Sequence, residues 1–579
     1  MKRVVLDIET TLDHKTIWLA VTKDIDTQEI KTWNTLDGLS DYLKDSTQII
    51  MHNGTSFDAP VLANCWKVRI KKKQVYDTLI VSRLLEPSRE NGHSLENWGE
   101  SLGIAKINYK AVWQWLNDRR EEYKGECYDN PHMGLLEDYC IRDVEVTERL
   151  FHALELALKE KKFSDDSVTL EHEVAAIIGQ QVRNGFKLDL SYATSLLTTV
   201  KGKLDNLQEQ MQIRWPPYTV QRISEKTGKT LKEGVVTFNP GSRQQIGDKL
   251  KELGWKPDKF TPTGHPIVDE SVLEKSTIPE AKLIAEYLML QKRTAQITSW
   301  LEAVEEDGRV HGKVITNGAV TGRATHSSPN MAQIPNTSSL YGKECRECWG
   351  VSEGNVQVGV DLSGIELRCL AHYMKDDEWT NELINGDVHW KNTQAFGLIE
   401  KGTIKENISE HKRKRDLSKT LTYAMLYGAG SEKLGNIVGK SAFIGKQLSS
   451  NFLRNTPALG HLQDVVHKYA AKGFVPGLDG RKIWVRSEHA ALNSLLQSAG
   501  AIIAKQWIVC FTAKLIAQKI PYKLLAWIHD EVQIETPEEY GDIVGAIVVQ
   551  SAKEAGDVLN FRCPVDAEYK IGVNWYACH

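Results

Sequence analysis

Trp527-Ile528-His529-Asp530-Glu531-Val532-Gln533-Ile534 sets a polar triplet between two apolar runs, the pattern of two β-strands joined by a tight turn with the triplet at its tip. Upstream, Val356-Gln-Val-Gly-Val-Asp361 alternates apolar residues and ends in a carboxylate, as a half-buried strand delivering an acid at its end would. Asp361 and Asp530 are 169 positions apart, yet both are expected on strand ends of one sheet. Carboxylates paired in this way can clamp two divalent cations for in-line phosphoryl transfer.

Between these strands, Arg415, Lys419, Tyr423 and Tyr427 recur every four residues before Gly428-Ala-Gly430. That spacing draws one slowly drifting stripe along a helix, which the glycines end. Arg and Lys one turn apart suit the charge of a triphosphate, and a tyrosine above them can stack on sugar and base. Alone, the stripe would read as a solvated charged face with aromatic core anchors. Its place between two acid-bearing strands favours a site.

A second acidic constellation opens the chain. Val4-Val-Leu-Asp7-Ile-Glu9 has strand composition, and residues two apart in a strand share a face, so Asp7 and Glu9 project together. Asn53-Gly-Thr-Ser-Phe57-Asp58 adds a third acid from a loop or helix start. In Tyr139-Cys-Ile-Arg-Asp143 the phenol and the carboxylate are four apart on a helical stretch and face the same way. Four acids repel one another unless cations sit among them, and hard oxygen ligands select Mg²⁺ or Mn²⁺. Such ions activate a water and stabilise a leaving 3′ oxygen, with Tyr139 placed to orient that water.

A chain of 579 residues exceeds what one hydrophobic core organises. With 41% hydrophobic and 26% charged residues it has the composition of a globular protein rather than a disordered one. The formal charge of −4 argues neither for nor against nucleic acid. Nine scattered cysteines suit a reducing compartment, and Cys345 with Cys348 lacks the second pair a zinc site needs. The apolar run Val4–Leu6 is too short for a secretion signal, and no stretch is expected to span a bilayer. The charged run 159–166 is the expected domain boundary. Gly228-Lys229-Thr230 echoes a phosphate-binding loop, but Ile223 stands where the earlier glycine is required, so no ATP site is expected.

Asp-x-Glu, Asn-x-x-x-Phe-Asp and Tyr-x-x-x-Asp, in that order, resemble the DEDD 3′-to-5′ exonucleases, in the subtype with tyrosine in the third motif. Asp361-Leu-Ser-Gly-Ile-Glu366-Leu-Arg, the Arg415 to Tyr427 stripe and His529-Asp530-Glu531 resemble motifs A, B and C of the family A (Pol I-type) DNA polymerases, in the T-seven-type podovirus group. The likeness extends to Thr321-Gly-Arg323, Leu478-Asp-Gly-Arg481, Asn493 to Gly500, and the ending Asn574-Trp-Tyr-Ala-Cys-His579.

The resemblance implies an α/β RNase H-like exonuclease domain over 1–160, followed by an α+β right-hand polymerase over 161–579. Within the latter it implies a thumb near 190–310, a palm over 311–375 and 490–579, and fingers over 376–489. By the same resemblance, Asp361, Asp530 and the Leu362 carbonyl hold two Mg²⁺ in the polymerase site, with Glu531 a supporting acid. Asp7, Glu9, Asp58 and Asp143 hold two more in the exonuclease site, Mn²⁺ being able to substitute. Arg415, Lys419 and His389 hold the incoming triphosphate, and Tyr427 stacks near the templating position. Glu366, beneath the sugar and hydrogen-bonded to Tyr423, rejects a 2′-hydroxyl. Arg323, Asn330, Gln333, Arg346, Gln497 and His529 meet the backbone or minor groove of primer-template DNA.

The expected function is primer- and template-dependent replication of a phage genome from deoxynucleotides, with proofreading, in the cytoplasm of the infected bacterium. The expected form is a monomer without membrane attachment. A replicative helicase-primase is an expected partner of the C-terminal residues ending in His579. Thioredoxin is not, because the chain runs from Met211 to Phe238 without room for the thumb insertion that recruits it. No 5′-nuclease domain is expected before residue 7. Two other readings compete. A single-subunit RNA polymerase shares the palm plan, but Glu366, His529-Asp530-Glu531 and a proofreading domain argue against it. A non-catalytic nucleic-acid-binding relic would have lost motif acids, and all are present.

Overall fold

The computed structural model describes residues 2–117, 125–221, 233–257 and 259–578. Gly228-Lys229-Thr230 and His579 lie outside these described residues. The chain folds as two compact units, and the larger comprises Met1–Asn184, Val314–His326 and Val358–Ile571.

In the larger unit a five-stranded sheet, ordered β3-β2-β1-β4-β5, is built from β1 (Arg3–Thr10), β2 (Ile17–Asp24), β3 (Ile30–Trp33), β4 (Gln48–Met51) and β5 (Val75–Asp77). β2 lies antiparallel and β4 parallel to β1. Val4, Val5, Leu6 and Ile8 are nearly inaccessible, so β1 is a central strand covered on both faces. Only such a strand carries Asp7 and Glu9 into a desolvated place. The helix Met133–Glu160 packs against β1 and β2, burying Leu136, Cys140, Val144 and Leu150. Tyr139 and Asp143 are therefore set one turn apart beside the same strand.

A second sheet orders the strands Lys523–Ile528, Glu531–Pro537, Asn355–Leu362 and Ala567–Gly572. Ile528 pairs with Glu531, so His529-Asp530 is a two-residue turn, and His529 takes φ +58°. Left-handed backbone at this position matches the twist of a tight hairpin and is uncommon for a residue with a Cβ. The helices Ala491–Ala517 and Gly541–Val558 pack together, and Trp507 donates to the Val548 carbonyl at 2.7 Å.

Among the described residues one helix, Glu488–Ala517, is long and apolar enough by length and composition to cross a membrane, with a mean hydropathy of 1.4. It is a core helix, burying Trp507, Phe511 and even Lys505. Polar Gln497, Lys505 and Gln506 hide its apolar character from a search for uninterrupted runs.

The helices Val388–Phe396, Ser409–Leu426 and Ala442–Asn455 pack together within the 376–489 stretch, with Phe396 and Phe452 ring centroids stacked at 4.2 Å. Also within the larger unit, Trp484 donates to the Leu85 carbonyl at 2.8 Å and Asn317 to the Ile80 carbonyl at 3.1 Å. These bonds tie the five-stranded sheet's surroundings to segments from later in the chain. Beneath them lies a buried ion cluster in which Glu171 meets Arg481 at 2.6 Å and Lys505 at 2.5 Å, while Arg481 also grips Asp479.

The smaller unit comprises Gly185–Lys313, Ser327–Gln357 and the residues from Gly572 onward. The helices Leu190–Arg214 and Pro279–Glu302 pack together, and Phe186, Trp300, Trp349 and Trp575 form an aromatic core. Cys345 and Cys348 are buried free thiols there.

Candidate active sites

The polymerase-like site is assembled by the second sheet. The Leu362 amide donates to the Asp530 carbonyl at 3.0 Å, so the strand end bearing Asp361 lies beside the hairpin tip bearing Asp530. Asp361 is exposed and Leu362 buried. Burial, chiefly, raises the Asp530 carboxyl above its ordinary range, and Glu531 and Glu366 push the same way while Arg323 opposes them. An acid raised by desolvation and neighbouring carboxylates is one that a cation would relieve. Glu531 is 7% exposed and accepts from Gln533 at 2.7 Å.

Glu366 accepts a hydrogen bond from the Tyr427 hydroxyl at 2.7 Å and lies 3.4 Å from the Arg323 guanidinium. This corrects the expectation that Tyr423 is its partner. Tyr427 is the cap residue that follows the helix Ser409–Leu426. Its backbone has left the helical path, which swings its ring toward Glu366. Tyr423 remains half-buried within the helix, with ring centroids 6.3 Å from Tyr427 and 6.4 Å from His389.

Arg415, Lys419 and His389 are brought together as expected. Arg415 Nε donates to both Asp387 oxygens, at 2.7 and 3.0 Å, and Lys405 reaches Asp387 at 2.6 Å. Burial would raise Asp387, but these hydrogen bonds outweigh it and hold the acid at about 2. Asp387 also caps the helix that carries His389, accepting from the Trp390 amide at 3.1 Å. The His389 imidazole is lowered by burial, then by Arg415 and Lys419. Asp387 escaped sequence reading because helix caps are short-range features seldom scored for function.

The residues expected at DNA divide between the units. Arg323, Gln497 and His529 belong to the larger one, where Gln497 lines a cleft of about 370 Å³ with Thr321, Arg486 and Ser494. In the smaller one, Asn330 caps a short turn by accepting from the Ala332 amide, and the Gln333 carbonyl accepts from Gln296 at 2.9 Å. Arg346 is turned inward. It is 7% exposed, donates to the Pro335 carbonyl at 3.0 Å and lies over the Trp575 ring at 4.9 Å. As placed it braces the fold rather than offering its charge to a phosphate.

The second site gathers Asp7, Glu9, Asp58, Asp143 and Tyr139. Ligand atoms of Asp7, Glu9 and Cys140 lie within 4.8 Å of one another, and the Cys140 thiol donates to Asp7 at 3.4 Å. Asp58, 3% exposed, begins the short helix Asp58–Val61. Its approach is fixed by Asp77, whose carboxylate accepts from the amides of Asn53 at 2.9 Å, Thr55 at 3.0 Å and Leu79 at 3.0 Å. Burial first, and Asp143 second, raise Asp7 to about 7. Asp143 is raised by burial to about 6 even with Lys106 beside it, and Glu9 and Asp58 are raised well above their ordinary values by burial and the neighbouring acids.

Lys106 Nζ sits 2.5 Å from Asp143 Oδ2 and 3.0 Å from the Tyr139 oxygen. Asp143 Oδ1 is buried with no hydrogen-bond partner. An orphaned carboxylate oxygen among crowded, desolvated acids is what a divalent cation would complete, so the donor set fits one. Lys106 and Asp77 were not found from sequence. Asp77-Thr78 before an apolar run is a readable helix-start signal, whereas a single loop lysine has none.

Two acid clusters on separate sheets, one beside a cationic helix and one with a tyrosine, define an enzyme of nucleic-acid phosphodiester chemistry. The comparisons agree. Residues 203–577 match the family model "DNA polymerase family A" and residues 7–159 match "3'-5' exonuclease". The DNA-directed DNA polymerase of Enterobacteria phage T3 is 35% identical over 680 aligned positions, covering 94% of each chain. That of Escherichia phage T7 is 34% identical over 683 positions with the same coverage. A solved structure described as the POL domain of Pol1 from M. smegmatis in complex with DNA primer-template and dNTP superposes with a TM-score of 0.77 at 19% identity. It covers 99% of this chain and 96% of that one, and shows the shared fold.

The chain belongs to DNA polymerase family A. It is a phage-type DNA-directed DNA polymerase with an N-terminal 3′-5′ exonuclease domain, and the RNA polymerase and relic readings are set aside. Both activities in this family use divalent metal ions.

Proposed function

We propose that the enzyme replicates a phage genome by extending primer-template DNA with deoxynucleotides, and trims mispaired primer ends in the 1–160 region. The observation that carries this reading is the pairing of the Asp361 strand with the Asp530 hairpin beside the Arg415 helix. In synthesis Asp361, Asp530 and the Leu362 carbonyl hold two Mg²⁺, which would activate the primer 3′-hydroxyl and offset charge on the transferring phosphate. Glu531 supports this acid pair. Arg415, Lys419 and His389 hold the triphosphate, Arg415 exchanging Asp387 for phosphate oxygens, and Tyr427 stacks near the templating position. Glu366 rejects ribonucleotides. Arg323, Asn330, Gln333, Gln497 and His529 hold the primer-template, and Arg346 braces Pro335 and Trp575 within the smaller unit.

In trimming, Asp7, Glu9, Asp58 and Asp143 hold two Mg²⁺ or Mn²⁺, and Tyr139 orients the attacking water. The T3 and T7 alignments exceed the 579 residues of this chain by about 100 positions, so those relatives carry sequence absent here. This supports independence from thioredoxin. The working place is the cytoplasm of the infected host. The enzyme acts as a monomer, with a helicase-primase meeting its C-terminal residues.

The test is extension and degradation of a labelled primer-template. Asp530→Ala abolishes synthesis and keeps degradation, while Asp7→Ala does the reverse. A substitution that removes both activities in a folded protein contradicts the two-site reading.

A further inference from the structure

We infer that Lys106 is a positioning residue of the exonuclease site, one that fixes the direction of the Tyr139 hydroxyl proton. The inference rests on the reading of Asp7, Glu9, Asp58 and Asp143 as the trimming site. Lys106 lies in the loop between the helices Leu95–Ser101 and Tyr109–Asn117, and its side chain is 17% exposed. Its Nζ reaches Asp143 Oδ2 at 2.5 Å and the Tyr139 oxygen at 3.0 Å, and lies 4.8 Å from the Tyr139 ring centre.

An ammonium group has three donors and no acceptor. Toward Lys106 the Tyr139 oxygen must therefore accept, and the single phenolic proton is left for the other side. The neighbouring acceptors are the Asp143 carboxyl and the Tyr128 phenol. The lysine thus removes a rotational choice. Without it the hydroxyl could turn its proton away from the acids and present only a lone pair to them. With it, the phenol is a donor facing the carboxylates, the orientation that lets it grip the oxygen of an attacking water.

The same ammonium anchors Asp143, which has one oxygen on Lys106 and the other free of hydrogen bonds. Lys106 thus sets both ends of the Tyr139-Asp143 pair, which lie one helical turn apart on Met133–Glu160. A methionine has comparable length and no donor, whereas an arginine keeps the donor and the charge.

The experiment measures single-turnover degradation of a single-stranded oligonucleotide by wild type, Lys106→Met, Lys106→Arg, Tyr139→Phe and the Lys106→Met/Tyr139→Phe double variant. Primer extension by each reports that it has folded. The expected result is a loss of about 10- to 100-fold in the degradation rate constant for Lys106→Met with little change in substrate KM, the scale of a group that orients a reactive side chain. Lys106→Arg recovers most of that loss. In the Tyr139→Phe background, Lys106→Met costs at least about threefold less than it does in wild type, because there is no hydroxyl left to direct and only the hold on Asp143 is lost. An equal loss in both backgrounds overturns the inference, as does a change in KM alone, which would make Lys106 a substrate contact. If Lys106→Met degrades normally while Asp7→Ala does not, only this inference fails. If Asp7→Ala also degrades normally, the site itself is misread.

Discussion

The Leu362 amide and the Asp530 carbonyl share a hydrogen bond of 3.0 Å. It stitches together two segments far apart in sequence, one ending in Asp361 and the other turning at His529-Asp530. Asp361 lies in a strand buried at residues 357–360 and Leu362, and Asp530 sits in the turn just before a strand buried over residues 531–536. Rigid strands position catalytic groups better than loops do, and the strained backbone of His529 at φ +58° lets the turn be only two residues long.

Tyr423 does not bond Glu366, which is occupied by Tyr427. Its hydroxyl is therefore available to stand in for a missing 3′-hydroxyl. In primer extension with competing dideoxy- and deoxynucleotides, wild type accepts both readily, and Tyr423→Phe discriminates at least about tenfold more, the value of one hydrogen bond. Strong discrimination by wild type contradicts this.

Asp77 holds two amides of the turn that presents Asp58, those of Asn53 and Thr55, and the Leu79 amide of its own helix. Asp77→Ala leaves those donors unpaired at a position 1% exposed, a cost of about 1–3 kcal/mol. Degradation falls at least about tenfold while extension is retained. Denaturant unfolding and the two activity assays measure these separately.

Lys505 is wholly buried, and desolvation lowers its ammonium to about 8 although Glu171 opposes the shift. Between about pH 8 and the usual lysine value near 10.4, the unfolded chain holds this proton and the native protein has released it. More protons on the unfolded state means that this contribution makes stability rise with pH across that window. Denaturation at pH 8 and pH 10 shows this difference for wild type and not for Lys505→Met.

Added thioredoxin leaves the length distribution of extension products unchanged, read on a denaturing gel from a long primed template. A large increase in product length shows instead that another part of this chain recruits it.

Much of both sites was legible because acids on strands obey a period of two and helix residues four apart share a face. Asp7 with Glu9, and Tyr139 with Asp143, follow directly. Four-residue spacing on a helix advances about 40° per step beyond a full turn, so the stripe from Arg415 to Tyr427 could be drawn. Which tyrosine meets Glu366 could not, since that depends on where the helix ends. Arg346 faces inward because Trp575, remote in sequence, supplies the ring beneath it. Lys106, Asp77 and Asp387 act through contacts to residues remote in sequence, which leave no periodic trace.

The central claim is that Asp361 and Asp530 share cations. Crystals grown with primer-template and a non-hydrolysable nucleotide, soaked in Mn²⁺, test it through anomalous scattering. Two peaks about 3.5–4 Å apart, bridged by both carboxylates, are the predicted result. Manganese bound by only one of these acids, or by neither, contradicts the account.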